Sequence, residues 1–594
     1  MFLNQYKRTN QYILLCIIVY PWLFHVFQGI YIAELGYWLV SYEHFFNAPE
    51  VAQTTFYSWL TTFIGAILNY FIGSFGIIGF KIANVFVIYL ILYTVYKLLH
   101  NLITTSYLLF FILATEVLIH SYYFINYYTL TTLFFTTATL FLYKGLTKNK
   151  LSYIFISGIF LSLNIFIRFP NILGIGFIVA ILYYQMMKTP REYKLITTQI
   201  STFLLGYTLT IIFTLITMEA FGHLEYYIQN IKEILYLANG SSSHGSNTIL
   251  IAYFTEQFFA ILESLKLFLI FTFALILIEF YRKIPLKIYL LGLFLVTLGT
   301  YYLLLVSHTG HTNYMYFYNG IIGFTYTILI WIVLFEMKKN INIGLISMLT
   351  FISIQIIPFG SATVLHQAKF GLYLALPFIF TYIMQKKTLL SYKSYKIHPY
   401  SVKIFLLILA LILITYSIIT VTIFHPPGLE EKRWEMIYTV NDKHLQYNYM
   451  SKEKAQTLQQ LLDNIHLYSE NLTYILSYEG ISTVSYLSDL EPYLKTTYPF
   501  FMTLDDFIKE LEYQERHKDL PMVVRAKSDV SIKGWPSVTV KIGPYSGSIN
   551  TTKIRSTLET FLLENNYTTA WENNEFEILI PSTSHTNNHI LKGS

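Results

Sequence analysis

The sequence predicts a mainly α-helical fold, a polytopic transmembrane helical bundle followed by a C-terminal soluble α/β domain. Three observations predict it. The 594 residues are 54% hydrophobic and only 12% charged, and apolar runs of about twenty residues, long enough to cross a bilayer's hydrocarbon core, recur along the chain. Lys and Arg collect in alternate connections between those runs. After residue 424, from "HPPGLEEKRWEM" onward, the composition turns polar for the remaining 170 residues, enough for a small core of its own.

The runs read as thirteen spans, beginning near residues 12, 79, 104, 125, 151, 171, 196, 265, 288, 320, 341, 370 and 402. An odd number places the termini on opposite sides. With the amino terminus cytoplasmic, the connections on that side hold Lys97; Lys144, Lys148 and Lys150; Lys188, Arg191 and Lys194; Arg282, Lys283 and Lys287; Lys338 and Lys339; and Lys386, Lys387, Lys393 and Lys396. This is the positive-inside pattern of an inner (cytoplasmic) membrane protein. The opposite connections, 31–78, 219–263, 307–319 and 358–369, hold few bases and several Glu and His. They share the outer face with the C-terminal domain.

Two apolar segments resemble something other than what they are read as. Lys7 and Arg8 precede the first apolar run, as in a signal peptide, but that run contains Pro21-Trp22 and no small-residue cleavage site, so it reads as a retained helix. The stretch "FYSWLTTFIGAILNYFIGSF", residues 56–75, is apolar enough for a span. Counting it as one would invert every later loop, so it reads as a helix in the outer interface. The expected organisation is therefore a transmembrane module at 1–424, with outer juxtamembrane helices at about 31–78, and an outer soluble domain at 425–594. Within that domain, "SKEKAQTLQQLLDNI" and "TLDDFIKELEYQ" have helical periodicity, and "LTYILSY", "MVVRA" and "FEILI" are strand-like. It has no Gly-rich phosphate loop, catalytic Ser motif or metal-ligand spacing, and reads as a cap that shapes a substrate entrance.

Composition excludes several function classes. The net charge of +6 is modest and lies between spans, which reports orientation and argues against a nucleic-acid partner. The single cysteine, Cys16, excludes an intrachain disulfide, a cysteine-rich metal site and dithiol redox chemistry. Tyr and Phe are abundant throughout, so no single aromatic residue gains weight from abundance.

The residues that could carry chemistry gather at the outer level. "GIYIAELGYWLVSYEHFF", residues 29–46, puts Glu34 at the outer end of the first span, followed by Glu43 and Glu50, with no Lys or Arg until Lys81. A carboxylate there could serve as a general base toward an alcohol, or hold a divalent metal that activates a phosphate leaving group. A solvated helix end is the alternative. Arg168 in "FIRFPN", Lys369 in "VLHQAKF", and His308 and His311 in "SHTGHTN" lie at the same level, where a phosphate leaving group needs fixed positive charge and donors. Snorkelling to lipid phosphates explains each base singly. Their convergence on the face otherwise depleted of bases favours a site. The connection 219–263 adds His223, Glu225, Lys232 and, in "NGSSSHGSN", His244, a Gly/Ser stretch suited to ordering over a substrate. The candidate site is thus Glu34 as catalytic group, with Arg168, Lys369, Glu43, Lys81, His244, His308 and His311 toward the substrate; metal dependence stays open. Glu116 and Glu279 lie near span ends and form no relay of the kind a proton-coupled transporter places at mid-membrane.

The order of these segments adds a family resemblance. "GIYIAELGYWL" is followed by "FYSWLTTFIGAILNYFIG" and "FGIIGFKIANVF", then by "INYYTLTTLFF", "GIFLSLNIFIRFPNIL" and "PFGSATVLHQAKFGLYLALP". With thirteen spans, a long acidic first outer loop and an outer C-terminal domain, this layout resembles the GT-C class of membrane glycosyltransferases across residues 1–424. The aminoarabinose-transferase-like and protein-mannosyltransferase-like branch is the nearest match. The resemblance implies transfer of a sugar from a polyprenyl-phosphate donor to a lipid, glycan or protein acceptor on the outer face. On that analogy Glu34 takes the family's catalytic acidic position, where Asp is more usual, and Arg168 and Lys369 contact the lipid phosphate. The chain departs from the pattern at Gln53-Thr54-Thr55, where the family often has Lys-Pro-Pro, and at Asn126-Tyr127-Tyr128, which lacks an acid. The rival readings are a lipid-linked polysaccharide polymerase or ligase, which would place arginines in large outer loops, and a transporter or flippase, which would show internal repeats around a mid-membrane site.

Overall fold

A computed structural model of the chain describes residues 2–102, 105–119, 124–188, 192–239, 246–279, 285, 313–361, 367–385, 391–392, 395–396, scattered positions between 403 and 419, 431–478, 480–499, 502–527 and 548–582. Helices dominate. In chain order they are α1 (Phe2–Pro21), α2 (Leu35–His44), α3 (Trp59–Ile72), α4 (Ile77–Leu99), α5 (Thr105–Leu118), α6 (Tyr127–Thr147) and α7 (Leu151–Ile167). There follow α8 (Phe177–Met186), α9 (Tyr193–Ala220), α10 (Leu224–Asn239), α11 (Ser246–Glu279), α12 (Asn313–Trp331), α13 (Ile341–Ile356) and α14 (Leu372–Gln385).

Among the described residues, six helical segments are long and apolar enough to cross a membrane: Arg8–Val26, Pro49–Phe75, Ile77–Leu99, Phe169–Met186, Tyr193–Ala220 and Asn319–Glu336. Thr105–Leu118, Leu151–Ile167 and Ile341–Ile356 are shorter apolar helices. The described residues thus display fewer spans than the thirteen expected. The span expected near 288 lies outside the described residues, and the one near 402 is described only at scattered positions.

The bundle has one end, here called the cap end, where the C-terminal region docks. α6 and α7 form an antiparallel hairpin: the Ser157 hydroxyl donates to the Ala138 carbonyl (2.9 Å) and Asn164 Nδ2 to the Thr131 carbonyl (3.4 Å). The end of α7 therefore returns to the start of α6, which Asn126 caps by accepting from the amides of Tyr128 (2.9 Å) and Thr129 (3.2 Å). α3 touches this end at both of its own ends. The Thr61 hydroxyl donates to the Ile167 carbonyl at the end of α7 (3.2 Å). Gly76, at φ +59, turns the chain into α4 against the His444 backbone, in a conformation and a space that only glycine fits. So although Pro49–Phe75 has the length and apolarity of a span, α3 joins two points at the cap end.

The C-terminal region is a five-stranded mixed sheet with helices on both faces. Its strands are β1 (Tyr474–Tyr478), β2 (Glu491–Pro492), β3 (Met522–Ala526), β4 (Tyr567–Glu572) and β5 (Phe576–Pro581), and its helices are α15 (Lys452–Tyr468), α16 (Ser482–Leu487), α17 (Leu504–His517) and α18 (Ser548–Glu564). The sheet order is β2-β1-β3-β5-β4, with β1 parallel to β2 and β3, and β5 antiparallel to β3 and β4. Alternation along β3 sends Val523 toward Phe507, Leu511, Leu558 and Phe561. Met522, Val524 and Ala526 join Leu458, Leu461 and Ile465 in a core that runs on into the bundle through Ile32 and Leu35. The polar third of the chain is therefore fused to the helices through a common apolar interior. Backbone pairing adds to this: the Gly29 amide donates to the Tyr449 carbonyl and the Tyr449 amide to the Phe27 carbonyl, both at 2.8 Å.

Candidate active site

α2 begins where an apolar run follows a turn, and every residue from Leu35 to Tyr42 is buried. Glu34 occupies the N-cap position with φ −89 and ψ −17, yet its side chain makes no capping hydrogen bond. Among the described residues its carboxylate has no hydrogen bond or ion pair. It is half-buried, and burial raises its pKa above the ordinary carboxylate value.

Phenols surround it. Glu34 is within electrostatic reach of Tyr37, Tyr57 and Tyr498. The Tyr37 hydroxyl donates to the Thr54 carbonyl (2.7 Å), and its ring lies 6.3 Å from that of Tyr498, from the C-terminal region. Tyr57 is held from another side: its amide donates to Asn230 Oδ1 of α10 at 2.6 Å. Trp38 and Tyr127 close this wall, with ring centroids 5.4 Å apart, and Tyr57 stands 6.5 Å from Trp38 and 6.3 Å from Tyr127.

Arg168 completes the arrangement behind the aromatics. It is only 4% exposed, and its guanidinium lies over the rings of Tyr127 (5.8 Å) and Tyr128 (5.3 Å). Nη1 donates to the Ile357 carbonyl (2.5 Å) and Nη2 to the Phe359 carbonyl (2.8 Å). Two of its N–H donors thus fix the fork in place while the charge acts on Tyr57. Lys369, 3% exposed, opens the 3-10 turn Lys369–Gly371 that leads into α14. Its Nζ lies 5.4 Å from the Phe370 ring, and that ring stacks on Tyr128 at 5.3 Å. Glu34, Arg168 and Lys369, far apart in sequence, are therefore linked through Tyr57, Tyr127, Tyr128 and Phe370.

The other sequence candidates have different surroundings. Glu43, nine residues after Glu34 on α2, faces a cluster of the C-terminal region in which His444 Nε2 and Lys443 Nζ each lie 2.9 Å from Asp489 Oδ1. Burial first, then the negative charge of Asp489, push its pKa up to about 7 against the lowering effect of His444 and Lys443. Lys81, 2% exposed, donates to the Gly29 carbonyl (2.6 Å) and Asn448 Oδ1 (2.8 Å). It ties α4 to the C-terminal region. His223 is a core aromatic: its Nδ1 accepts from the Trp59 indole (3.2 Å) and its ring lies 4.5 Å from Phe45. Glu116 is buried in α5, and among the described residues neither of its carboxylate oxygens has a hydrogen-bond partner. His244, His308 and His311 lie outside the described residues. Among the described residues no three His, Cys, Asp or Glu side chains gather as metal ligands would.

Sequence reasoning does not find Tyr37, Tyr57, Tyr127 or Tyr498. With 52 tyrosines in the chain, nothing in composition or spacing singles out the four that meet. Tyr37, Tyr57 and Tyr127 fall in segments that the sequence marks, but nothing within those segments sets them apart from the tyrosines beside them, and Tyr498 falls in none.

No family model matches the chain, and no curated protein matches its sequence. Among solved structures it is similar to the oligosaccharyltransferase AglB of Archaeoglobus fulgidus in complex with an inhibitory peptide and a dolichol-phosphate, with a TM-score of 0.42 and 11% identity over 88% of this chain and 69% of that one. It is likewise similar to the Archaeoglobus fulgidus oligosaccharyltransferase tethered to an acceptor peptide containing the NVT sequon, with a TM-score of 0.42 and 12% identity over the same shares. Both likenesses are distant.

Proposed function

We propose that the chain is a membrane glycosyltransferase that moves a sugar from a polyprenyl-phosphate donor to a lipid, glycan or protein acceptor. The reaction takes place at the outer face of the cytoplasmic membrane, with the C-terminal region on that side. One observation carries the reading: Glu34, a half-buried carboxylate without a hydrogen bond among the described residues, lies within electrostatic reach of the phenols of Tyr37, Tyr57 and Tyr498, and a fixed cation, Arg168, acts on the same Tyr57.

In the reaction a Glu34 oxygen takes the proton of the acceptor hydroxyl, and the hydroxyl oxygen attacks the anomeric carbon. The bond from the anomeric carbon to the phosphate oxygen breaks, and the lipid phosphate leaves with the electron pair. The charges of Arg168 and Lys369 stabilise the departing phosphate. The phenols exclude bulk water and leave the carboxylate weakly solvated, which strengthens it as a base. Because burial raises its pKa above the ordinary value of 4.5, the rate rises with pH along an acidic limb that lies above that value.

The test follows radiolabel from a panel of polyprenyl-phosphate sugars in membranes containing wild type or Glu34→Gln. Loss of transfer by about a hundredfold or more in the variant, with donor binding retained, is expected of a general base. Transfer near the wild-type rate in Glu34→Gln removes that residue from the mechanism.

A further inference from the structure

α16 of the C-terminal region meets the turn that carries Glu34 in an unusual way. The first N–H groups of a helix have no partner within it, and the side chain at the N-cap ordinarily accepts from the second and third of them. For α2 these are the amides of Gly36 and Tyr37. Neither goes to Glu34: the Gly36 amide donates to the Thr483 hydroxyl and the Tyr37 amide to the Ser482 hydroxyl, both at 3.0 Å. The same hydroxyls donate in turn to the residues before Glu34, Thr483 to the Tyr31 carbonyl (3.1 Å) and Ser482 to the Ala33 carbonyl. The Thr483 amide adds a bond to the Ile32 carbonyl (3.1 Å). Two adjacent side chains thus bracket Glu34 from both sides. Ser482 and Thr483 are themselves buried, and Gly36 leaves no room for a Cβ against the Ser482 carbonyl.

We propose that Ser482 and Thr483 are positioning residues that cap α2 from the C-terminal region, so that the Glu34 carboxylate does not cap its own helix and stays directed at the acceptor. This rests on the reading of Glu34 as the base. The alternative state is defined by the same geometry. With the hydroxyls gone, the freed amides of Gly36 and Tyr37 are the nearest donors to the N-cap side chain, and a carboxylate at a helix N-terminus is favoured there. Glu34 would turn back onto its helix. Hydrogen bonding to the charged form would lower its pKa and weaken it as a base. The groups that face Glu34 and stay unchanged are Tyr37 of α2, Tyr57 beside α3 and Tyr498 of the C-terminal region, with Arg168 and Lys369 behind Tyr128.

The experiment uses the full chain in lipid nanodiscs, comparing wild type, Ser482→Ala/Thr483→Val, the hydroxyl-preserving pair Ser482→Thr and Thr483→Ser, and Glu34→Gln. Two readouts run side by side: transfer kinetics against pH with the donor panel, and the titration of the Glu34 carboxyl carbon by carbon-13 NMR, assigned by its loss in Glu34→Gln. The proposal expects the double variant to lose about tenfold or more in kcat with donor KM within about twofold. Its acidic limb and carboxyl titration should both move to lower pH, and the hydroxyl-preserving variants should stay near wild type. An unchanged carboxyl titration in a folded double variant overturns it, whatever the rate. If the double variant fails to fold, the near-isosteric Thr483→Val alone is judged by the same criteria. If wild type consumes no donor, the glycosyltransferase reading falls separately, and the carboxyl titration still decides whether the two hydroxyls hold Glu34 off its helix.

Discussion

Glu43→Gln tests the electrostatics of the junction between α2 and the C-terminal region. The folded chain holds Glu43 at a pKa of about 7, against an ordinary value of 4.5. A carboxyl whose folded value is raised contributes its full stability below the unfolded value and loses it as pH climbs through the folded one. At about 1.4 kcal/mol per pH unit, the penalty for ionising Glu43 saturates above neutrality at roughly 3 kcal/mol. Of this, about 2 kcal/mol falls between pH 5.5 and 8.5. Residual solvent access trims these figures toward about 1–2 kcal/mol across the accessible range. The substituted glutamine is neutral at every pH and keeps the shape. His444, Lys443 and Asp489 are present in both proteins, so their own titration largely cancels in the comparison. Unfolding of the detergent-solubilised protein, followed at pH 5.5 and pH 8.5, should show the variant gaining stability relative to wild type as pH rises. A difference between the two proteins that is flat with pH, or that grows toward acid pH, would refute the assignment of a raised pKa to Glu43.

Three other substitutions probe the frame around the site. Arg168→Leu leaves the Ile357 and Phe359 carbonyls without their charged donors and should destabilise the protein by about 3–6 kcal/mol, with Arg168→Lys losing roughly half as much; unchanged thermal unfolding would mean the guanidinium does not hold the 357–361 turn. Gly36→Ala forces a methyl against the Ser482 backbone and should cost about 1–3 kcal/mol, read as earlier proteolytic release of the C-terminal region. Lys81→Met removes the donor to Gly29 and Asn448 and should cost about 1–3 kcal/mol; protection of the 431–478 segment from protease equal to wild type would mean that Lys81 does not tie α4 to the C-terminal region.

The local part of the fold is legible in the sequence. "SKEKAQTLQQLLDNI" and "TLDDFIKELEYQ" fall on α15 and α17, and "LTYILSY", "MVVRA" and "FEILI" on β1, β3 and β5, because each carries its periodicity within a few residues. The position of Glu34 just past the first apolar run is legible for the same reason. What surrounds it is not. The carbonyls that fix Arg168 are 189 and 191 residues away in sequence, and the hydroxyls that cap α2 come from an ordinary Ser-Thr pair with no motif around it. Tyrosine is too common here to mark a wall. Lys81, expected toward a substrate, is buried against backbone carbonyls whose approach only tertiary packing creates.

The bracket around Glu34 also sets a clock on biosynthesis. The Gly36 amide and its Thr483 partner are 447 residues apart. At translation rates of about 5–20 residues per second, roughly 20 to 90 s separate the appearance of the carboxylate from that of the hydroxyls that cap its helix. During that interval α2 is made and membrane insertion proceeds while its first turn lacks its native acceptors. A nascent or truncated chain can therefore contain every helix of the bundle and still lack the geometry described here, which makes completion of the last segment the step that commissions the molecule.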